Sequence, residues 1–364
     1  TDGREEKLSY CRNNVFEVVA EECRAVHERV GVLELSSFAK FDVTGPDAES
    51  FLNRVFANGM ATKNGGIKLA HLLNTAGRIQ TEGTITRISD QCFYILTAAA
   101  WEVRDFDALT QAIREGERVE VENVTDAWGN LVIAGPRTRD LLEKITDADL
   151  SNASFRWLTA QEIEIAGVPC RALRVNYVGE LGWELHHPMD RMPELYDAIW
   201  AAGQEFGIAD FGVYAVNSLR LEKCYRGIGA EMTNEISTVE AGLSRFVNMK
   251  KGDFVGRCAL ERIERDERAR IDWAYRELTA RRRLAGTTAS EHLDPTEVAK
   301  VLCSKAKAKE LGLIPMAKII ASASAGLDPQ VMGLGPIYST PKALDKAGIK
   351  IGIGMSVSLS LISG

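Results

Sequence analysis

One short pattern is written twice in this 364-residue chain, and it restricts the fold more than any other feature. The run K-F-D-V-T-G-P-D-A-E-S-F-L-N-R-V starts at Lys40, and N-L-V-I-A-G-P-R-T-R-D-L-L-E-K-I starts at Asn130. Each reads as an apolar strand, a Gly-Pro break and a helix with proline at its first position. In the helices, Phe51, Leu52, Val55 and Phe56 of one copy and Leu141, Leu142 and Ile145 of the other form a single stripe, as required of a helix lying on a sheet. A strand-helix unit used twice predicts split β-α-β layers. Gly83 to Ile88 and Cys92 to Thr97 predict a hairpin across Ser89, Asp90 and Gln91. Strands are also expected at Glu162 to Ile165 and Cys170 to Asn176, joined through Ala166 and Gly167. Asp190 is placed as the cap of a helix whose Met192, Leu195, Tyr196, Ile199 and Trp200 make one apolar face. The resulting class is α+β with antiparallel sheets.

The segment N-Y-V-G-E-L-G-W-E-L-H, Asn176 to His186, carries the chemistry. On a strand, Glu180, Gly182 and Glu184 share one face and Gly179, Leu181 and Trp183 the other. Two carboxylates on one face suit either a solvated turn or a site in which glycines admit a flat ligand and a carboxylate accepts from its N–H groups. The net charge of -7 repels nucleic acid and anionic membranes, and an anionic ligand would need a local basic lining. The 7 cysteines are scattered without a C-x-x-C, which argues for a reducing compartment and against structural zinc. His27, His71, His186, His187 and His292 lack ligand spacing, so no metal is expected. No signal segment opens the chain, leaving cytoplasm or mitochondrial matrix.

Tyr177 to Glu184 resembles the Y-T-G-E-x-G-x-E signature of the folate-binding domain shared by glycine cleavage T-proteins (aminomethyltransferases) and the C-terminal halves of dimethylglycine and sarcosine dehydrogenases. The likeness runs from about Phe16 to Leu260 with its landmarks in family order. These include V-L-E-L-S-S-F from Val32, N-T-A-G-R-I from Asn74, A-G-P-R-T-R-D-L-L from Ala134, N-S-L-R-L-E-K from Asn217, G-A-E-M from Gly229 and K-G-D-F-V-G-R from Lys251. L-S-N-A-S-F-R-W-L-T-A from Leu150 is closer to the dehydrogenase halves.

The resemblance implies a T-protein-like fold, tetrahydrofolate as cofactor, and methylene or aminomethyl transfer in glycine, sarcosine or dimethylglycine metabolism. The family's G-G-I-x-x-D aspartate corresponds to Glu82 in G-R-I-Q-T-E, as the catalytic carboxylate; the extra methylene adds about 1.5 Å of reach. Glu184 is implied to accept from pterin donors, Tyr177 to pack on the ring, Arg220 to contact folate or pair with a neighbouring carboxylate, and Phe38 to wall the cavity. A second family arginine is replaced by Val216. Folate and a small amine-derived one-carbon donor are the implied partners, with a separate flavoprotein, since no strand followed by G-x-G-x-x-G occurs and the chain is not expected to oxidise an amine by itself. A noncatalytic folate-binding or assembly module is the alternative.

The family's C-terminal β-barrel is not recognisable from Glu261 onward. Residues 1–260 are expected to form the folate-binding domain, 261–300 a charged helical linker, 301–349 a thiolase-like fragment and 350–364 a tail. Lys307 to Ile349, with D-P-Q-V-M-G-L-G-P at its centre, resembles an internal stretch of thiolases. Thiolase chemistry needs a cysteine nucleophile activated by histidine, and no such motifs follow, so an acyl-CoA acyltransferase is the remote alternative.

Overall fold

In chain order the helices are α1 (Phe16–Glu28), α2 (Ala48–Val55), α3 (Glu102–Gln111), α4 (Thr138–Leu142), α5 (Met192–Gly203) and α6 (Val213–Glu222). The strands are β1 (Gly31–Glu34), β2 (Ala39–Thr44), β3 (Ile67–Leu73), β4 (Ile79–Ser89), β5 (Cys92–Thr97), β6 (Glu120–Asn123), β7 (Trp128–Ala134), β8 (Ala160–Ile165), β9 (Val168–Leu173), β10 (Gly182–Pro188) and β11 (Ala209–Asp210). This computed structural model describes residues 5, 7 and 13–267, of which 257–267 are helical. The rest of the expected charged linker beyond 267, and the thiolase-like fragment and tail expected after it, lie outside the described residues.

Two sheets result, a six-stranded one ordered β11-β1-β7-β10-β9-β8 and a five-stranded one ordered β3-β4-β5-β2-β6. Pairing is antiparallel except between β1 and β11. The five-stranded sheet is a contiguous excursion of the chain between β1 and β7, which are themselves neighbours.

The repeated motif supplies one strand-helix unit to each sheet. Phe51, Leu52, Val55 and Phe56 are fully buried or nearly so against Phe41, Val43, Phe93 and Ile95 on the outer face of the five-stranded sheet. Leu141 and Leu142 join Leu131, Ile133, Trp183 and Leu185 under the six-stranded sheet, with α5 contributing Leu195 and Ile199. Burying each such side chain stabilises by about 1.5 to 3 kcal/mol. The inner faces meet through Ile67, Tyr94 and Leu96 on one side and Ala160 and Leu173 on the other. Helices α1 and α6 cover the remaining inner face around Val132 and Ala134.

Pro46 and Pro136 do not start the helices; each stands two residues before the first helical residue. They occupy the second position of a turn closed by Ala48 N–H to Gly45 O and Thr138 N–H to Gly135 O, each 3.1 Å, where proline's fixed φ fits. The preceding glycines are required: Gly45 and Gly135 have φ of 122° and 135°, and a Cβ would meet the Arg118 carbonyl oxygen at 2.1 Å and that of Arg29 at 2.6 Å.

The hairpin joining β4 and β5 closes at the Ser89–Cys92 pair. That joining β8 and β9 turns at Ala166 and Gly167, both at positive φ, the geometry of a two-residue primed turn. Asp190 does not cap α5, because a 3-10 turn of Met189–Arg191 intervenes and the cap position falls to Arg191. The apolar face Met192, Leu195, Tyr196, Ile199 and Trp200 does pack on the six-stranded sheet.

Candidate functional site

The strand expected through Asn176 to His186 begins only at Gly182. Upstream, the Asn176 side chain builds a turn of its own: Oδ1 accepts from Val178 N–H at 3.0 Å and Gly179 N–H at 2.9 Å, and Nδ2 donates to Glu180 O at 2.8 Å. Glu180 therefore leaves the face of Glu184 and bonds His27 and Lys223, each at 3.1 Å, tying the loop to α1 and the end of α6. The glycines serve the protein rather than an open approach. Gly179 sits at φ 74° beneath the Lys223 side chain, and a Cβ on Gly182 would lie 2.5 Å from Ile133 O.

This loop turns Tyr177 toward α6 and the segment after it. Its hydroxyl donates to Arg226 O, and its ring stacks on Tyr225 with centroids 5.9 Å apart and planes 22° off parallel. Burial first, then the charge of Glu82, push the Tyr177 phenol up to about 12, while Arg220 acts in the opposite direction. Glu82, Tyr177 and Arg220, distant in sequence, thus share one electrostatic environment. Arg220 is buried and heavily committed, donating to Asn217 Oδ1 (2.9 Å), Tyr225 O (2.8 Å) and both oxygens of Glu231 (2.8 and 3.2 Å). Glu231 is thus the carboxylate with which Arg220 pairs. Val216, where an arginine was expected, packs with the apolar cluster of α1 and α6.

Glu82 lies on β4 directly opposite His71 on β3, its Oε2 2.9 Å from His71 Nε2. Its side chain is 19% exposed, that of His71 not at all.

Glu184 lies on β10, where alternation sends Trp183 and Leu185 into the helix-covered core and leaves Glu184 and His186 on the face toward the five-stranded sheet. His186 is pinned there by Tyr94 of β5, with 3.0 Å between the hydroxyl and Nδ1 and the rings edge to face. Its Nε2 stands 3.6 Å from Glu184 Oε2, beyond hydrogen-bond reach, and has no partner. Asn130, paired with His186 across the ladder, has its Oδ1 buried and unpartnered. Burial raises the Glu184 carboxyl to about 7, only partly offset by a hydrogen bond with the Asn130 side chain. His186 stays neutral: burial, then the positive charges of Lys40 and Arg171, hold it well below the usual imidazole range.

Phe38 is half-buried in the turn after β1 and joins none of the apolar clusters among the described residues; its carbonyl accepts from the buried Lys40 ammonium at 2.9 Å. Asn130, His186, Tyr94 and His71 were not foreseen as site residues. Only His71 had a sequence signal, since a hairpin folded about the N-T-A-G-R loop sets it across from Glu82.

Two facing sheets with outer helices, Glu184 lying on the face of one turned toward the other, define an α+β domain of the aminomethyltransferase type. The fold matches the crystal structure of glycine cleavage system aminomethyltransferase T from Bartonella henselae with a TM-score of 0.62 at 23% identity, over 72% of each chain. The family described as the GCVT N-terminal domain matches residues 3–251, and the chain belongs to that family. Mitochondrial dimethylglycine dehydrogenase of Mus musculus is 42% identical over 258 residues, covering 70% of this chain and 30% of that protein. An aminomethyltransferase of a Thermoanaerobacter species is 32% identical over 246 residues, covering 67% of this chain and 66% of that protein. The chain thus spans only 30% of the length of the dehydrogenase.

Proposed function

We propose that this chain is a tetrahydrofolate-dependent one-carbon transfer domain, working on a methylene or aminomethyl unit derived from glycine, sarcosine or dimethylglycine. The observation that carries the reading is the junction at Glu184: a carboxylate that gives up its proton near neutrality stands beside the unpartnered carbonyl oxygen of Asn130. Two adjacent acceptors, the free Asn130 Oδ1 and a carboxylate served by one amide donor, suit the amine and ring N–H of a pterin, so the residues present fit the group. When bound, tetrahydrofolate supplies the nitrogen nucleophile that takes up the one-carbon unit.

The chain's own residues do the rest. Glu184 and Asn130 accept the pterin donors, and Tyr177, braced by Tyr225, offers a ring face for packing. Phe38 forms an apolar wall. Arg220 contributes positive potential at the site while anchored to Glu231. Glu82 holds its negative charge where a cationic donor carbon must approach and receives the proton released from the nucleophilic nitrogen. The domain is taken to end near Leu260, which is buried against Leu73 and Ile79. A flavoprotein is the proposed source of the oxidised donor, and the kinship with mitochondrial dehydrogenases makes the mitochondrial matrix the first compartment to test, ahead of the cytoplasm.

The test combines anaerobic calorimetry with tetrahydrofolate and a transfer assay using a formaldehyde-derived iminium. Wild type should bind and turn over; Glu82→Gln should bind within a few fold and transfer at least about tenfold more slowly, the usual minimum for losing an acid/base group. Binding without transfer in wild type would leave a folate-binding module, and no binding would end the reading.

A further inference from the structure

Glu82 has one rotatable bond more than an aspartate would, so its carboxylate sweeps a wider arc unless something holds it. His71 is placed to do so. It lies directly across the β3–β4 ladder, its side chain is completely buried, and its Nε2 is 2.9 Å from Glu82 Oε2. The Phe246 ring stands 6.3 Å away, tilted by 53°, along the imidazole.

The other ring nitrogen decides what the contact means. Nδ1 of His71 is buried and has no hydrogen-bond partner. A proton there would be a buried donor without an acceptor, whereas a proton on Nε2 is donated to a carboxylate in a charge-assisted bond. The neutral imidazole is therefore protonated on Nε2. A proton taken up by the ring from Glu82 would have no exit through Nδ1, so His71 orients the carboxylate without conducting protons.

We infer that His71 is the positioning residue for Glu82, fixing Oε2 by an Nε2–H bond so that Oε1 alone faces the incoming one-carbon donor. This deepens the transfer reading, which gives the carboxylate its task, but the contact can be tested without it.

The experiment uses the full chain with 15N-histidine and 13C-carboxyl-glutamate labels, in wild type, His71→Gln and His71→Phe, with Glu82→Gln to assign the signal. Wild type should show His71 protonated on Nε2. At fixed pH the Glu82 carboxyl 13C signal should move away from its wild-type position in His71→Phe and return toward it in His71→Gln, whose amide can donate from a similar position. In the transfer assay His71→Phe should lower kcat at least about tenfold with KM for tetrahydrofolate within about threefold, and His71→Gln should recover most of the rate. A proton on Nδ1, or the same Glu82 carboxyl signal in wild type and His71→Phe, overturns the inference. Should the phenylalanine variant not fold, the wild-type tautomer decides by itself. If wild type transfers nothing, the functional reading fails while the tautomer and the carboxyl signal still judge the positioning.

Discussion

Replacing Glu184 with glutamine should stabilise the ligand-free protein above neutral pH while weakening its hold on folate. Burial lifts this carboxyl from 4.5 to about 7 in the folded state. Below about pH 4.5 both folded and unfolded chains carry the proton, and the folded state is not penalised. As pH rises through the interval up to about 7, the unfolded chain releases the proton first, so stability is lost across that window and stays lost above it. The shift of about 2.5 units, at about 1.36 kcal/mol each, sets a scale of about 3 kcal/mol. His186, held neutral in the folded state, weakens both proteins alike as pH falls below about 6.5, so its contribution cancels in their comparison. Urea unfolding of wild type and Glu184→Gln at about pH 5 and about pH 8 isolates the effect: the variant should gain about 1 to 3 kcal/mol relative to wild type on going to the higher pH. Tetrahydrofolate binding by wild type should strengthen toward a plateau above about pH 7, whereas the variant should bind about tenfold or more weaker at the plateau, with little pH dependence. A stability difference between the proteins that is the same at both pH values would refute the electrostatic reasoning.

Three further outcomes follow from particular contacts. Lys251 Nζ donates to the carbonyls of Asn53, Phe56 and Asn58, so Lys251→Met should cost about 2 to 4 kcal/mol in urea unfolding; a cost below about 0.5 would show that the α2 terminus is held by other means. Gly45→Ala and Gly135→Ala should each lower stability by more than about 2 kcal/mol, because strain and a backbone clash add; wild-type melting of either variant contradicts the turn geometry. Tyr177→Phe keeps the stack on Tyr225 but frees the Arg226 carbonyl, and should cost about 1 kcal/mol of stability by thermal melting, with folate affinity falling a few fold; equal melting would mean that bond contributes nothing.

The parts legible in the sequence were those encoded locally. The two strand-turn-helix units announce themselves through periodicity and the Gly-Pro step, and the Ala166-Gly167 hairpin through a turn residue that accepts positive φ. Where the reading failed, a side chain had redirected the backbone: Asn176 bonds two N–H groups that a strand would have paired elsewhere, and the glycine-rich run becomes a loop up to Leu181. The short turn before α5 displaced Asp190 for a similarly local reason. Family resemblance pointed to Glu82, Tyr177, Glu184, Arg220 and Phe38, but not to the groups that surround them. His71 meets Glu82 through strand register, and Tyr94 meets His186 only when two sheets stack, information spread over 92 residues of separation that no periodicity records.

The excursion of the chain between β1 and β7 also sets an order of assembly. All strands of the five-stranded sheet lie between Ala39 and Asn123, and although β2 pairs at long range with β5 and β6, every partner has emerged once Asn123 is made, so this layer can close early during synthesis. The six-stranded sheet must wait, since Gly31 pairs both with Ala134 and with Ala209. Until those partners arrive, β1 presents open edges beside a finished layer, and the junction holding Glu184 does not exist. Variants that slow β1 capture should therefore accumulate a species with a native five-stranded half and no folate affinity, visible by pulse-labelled hydrogen exchange as protection of Phe41, Phe93 and Ile95 ahead of Ile133 and Leu185.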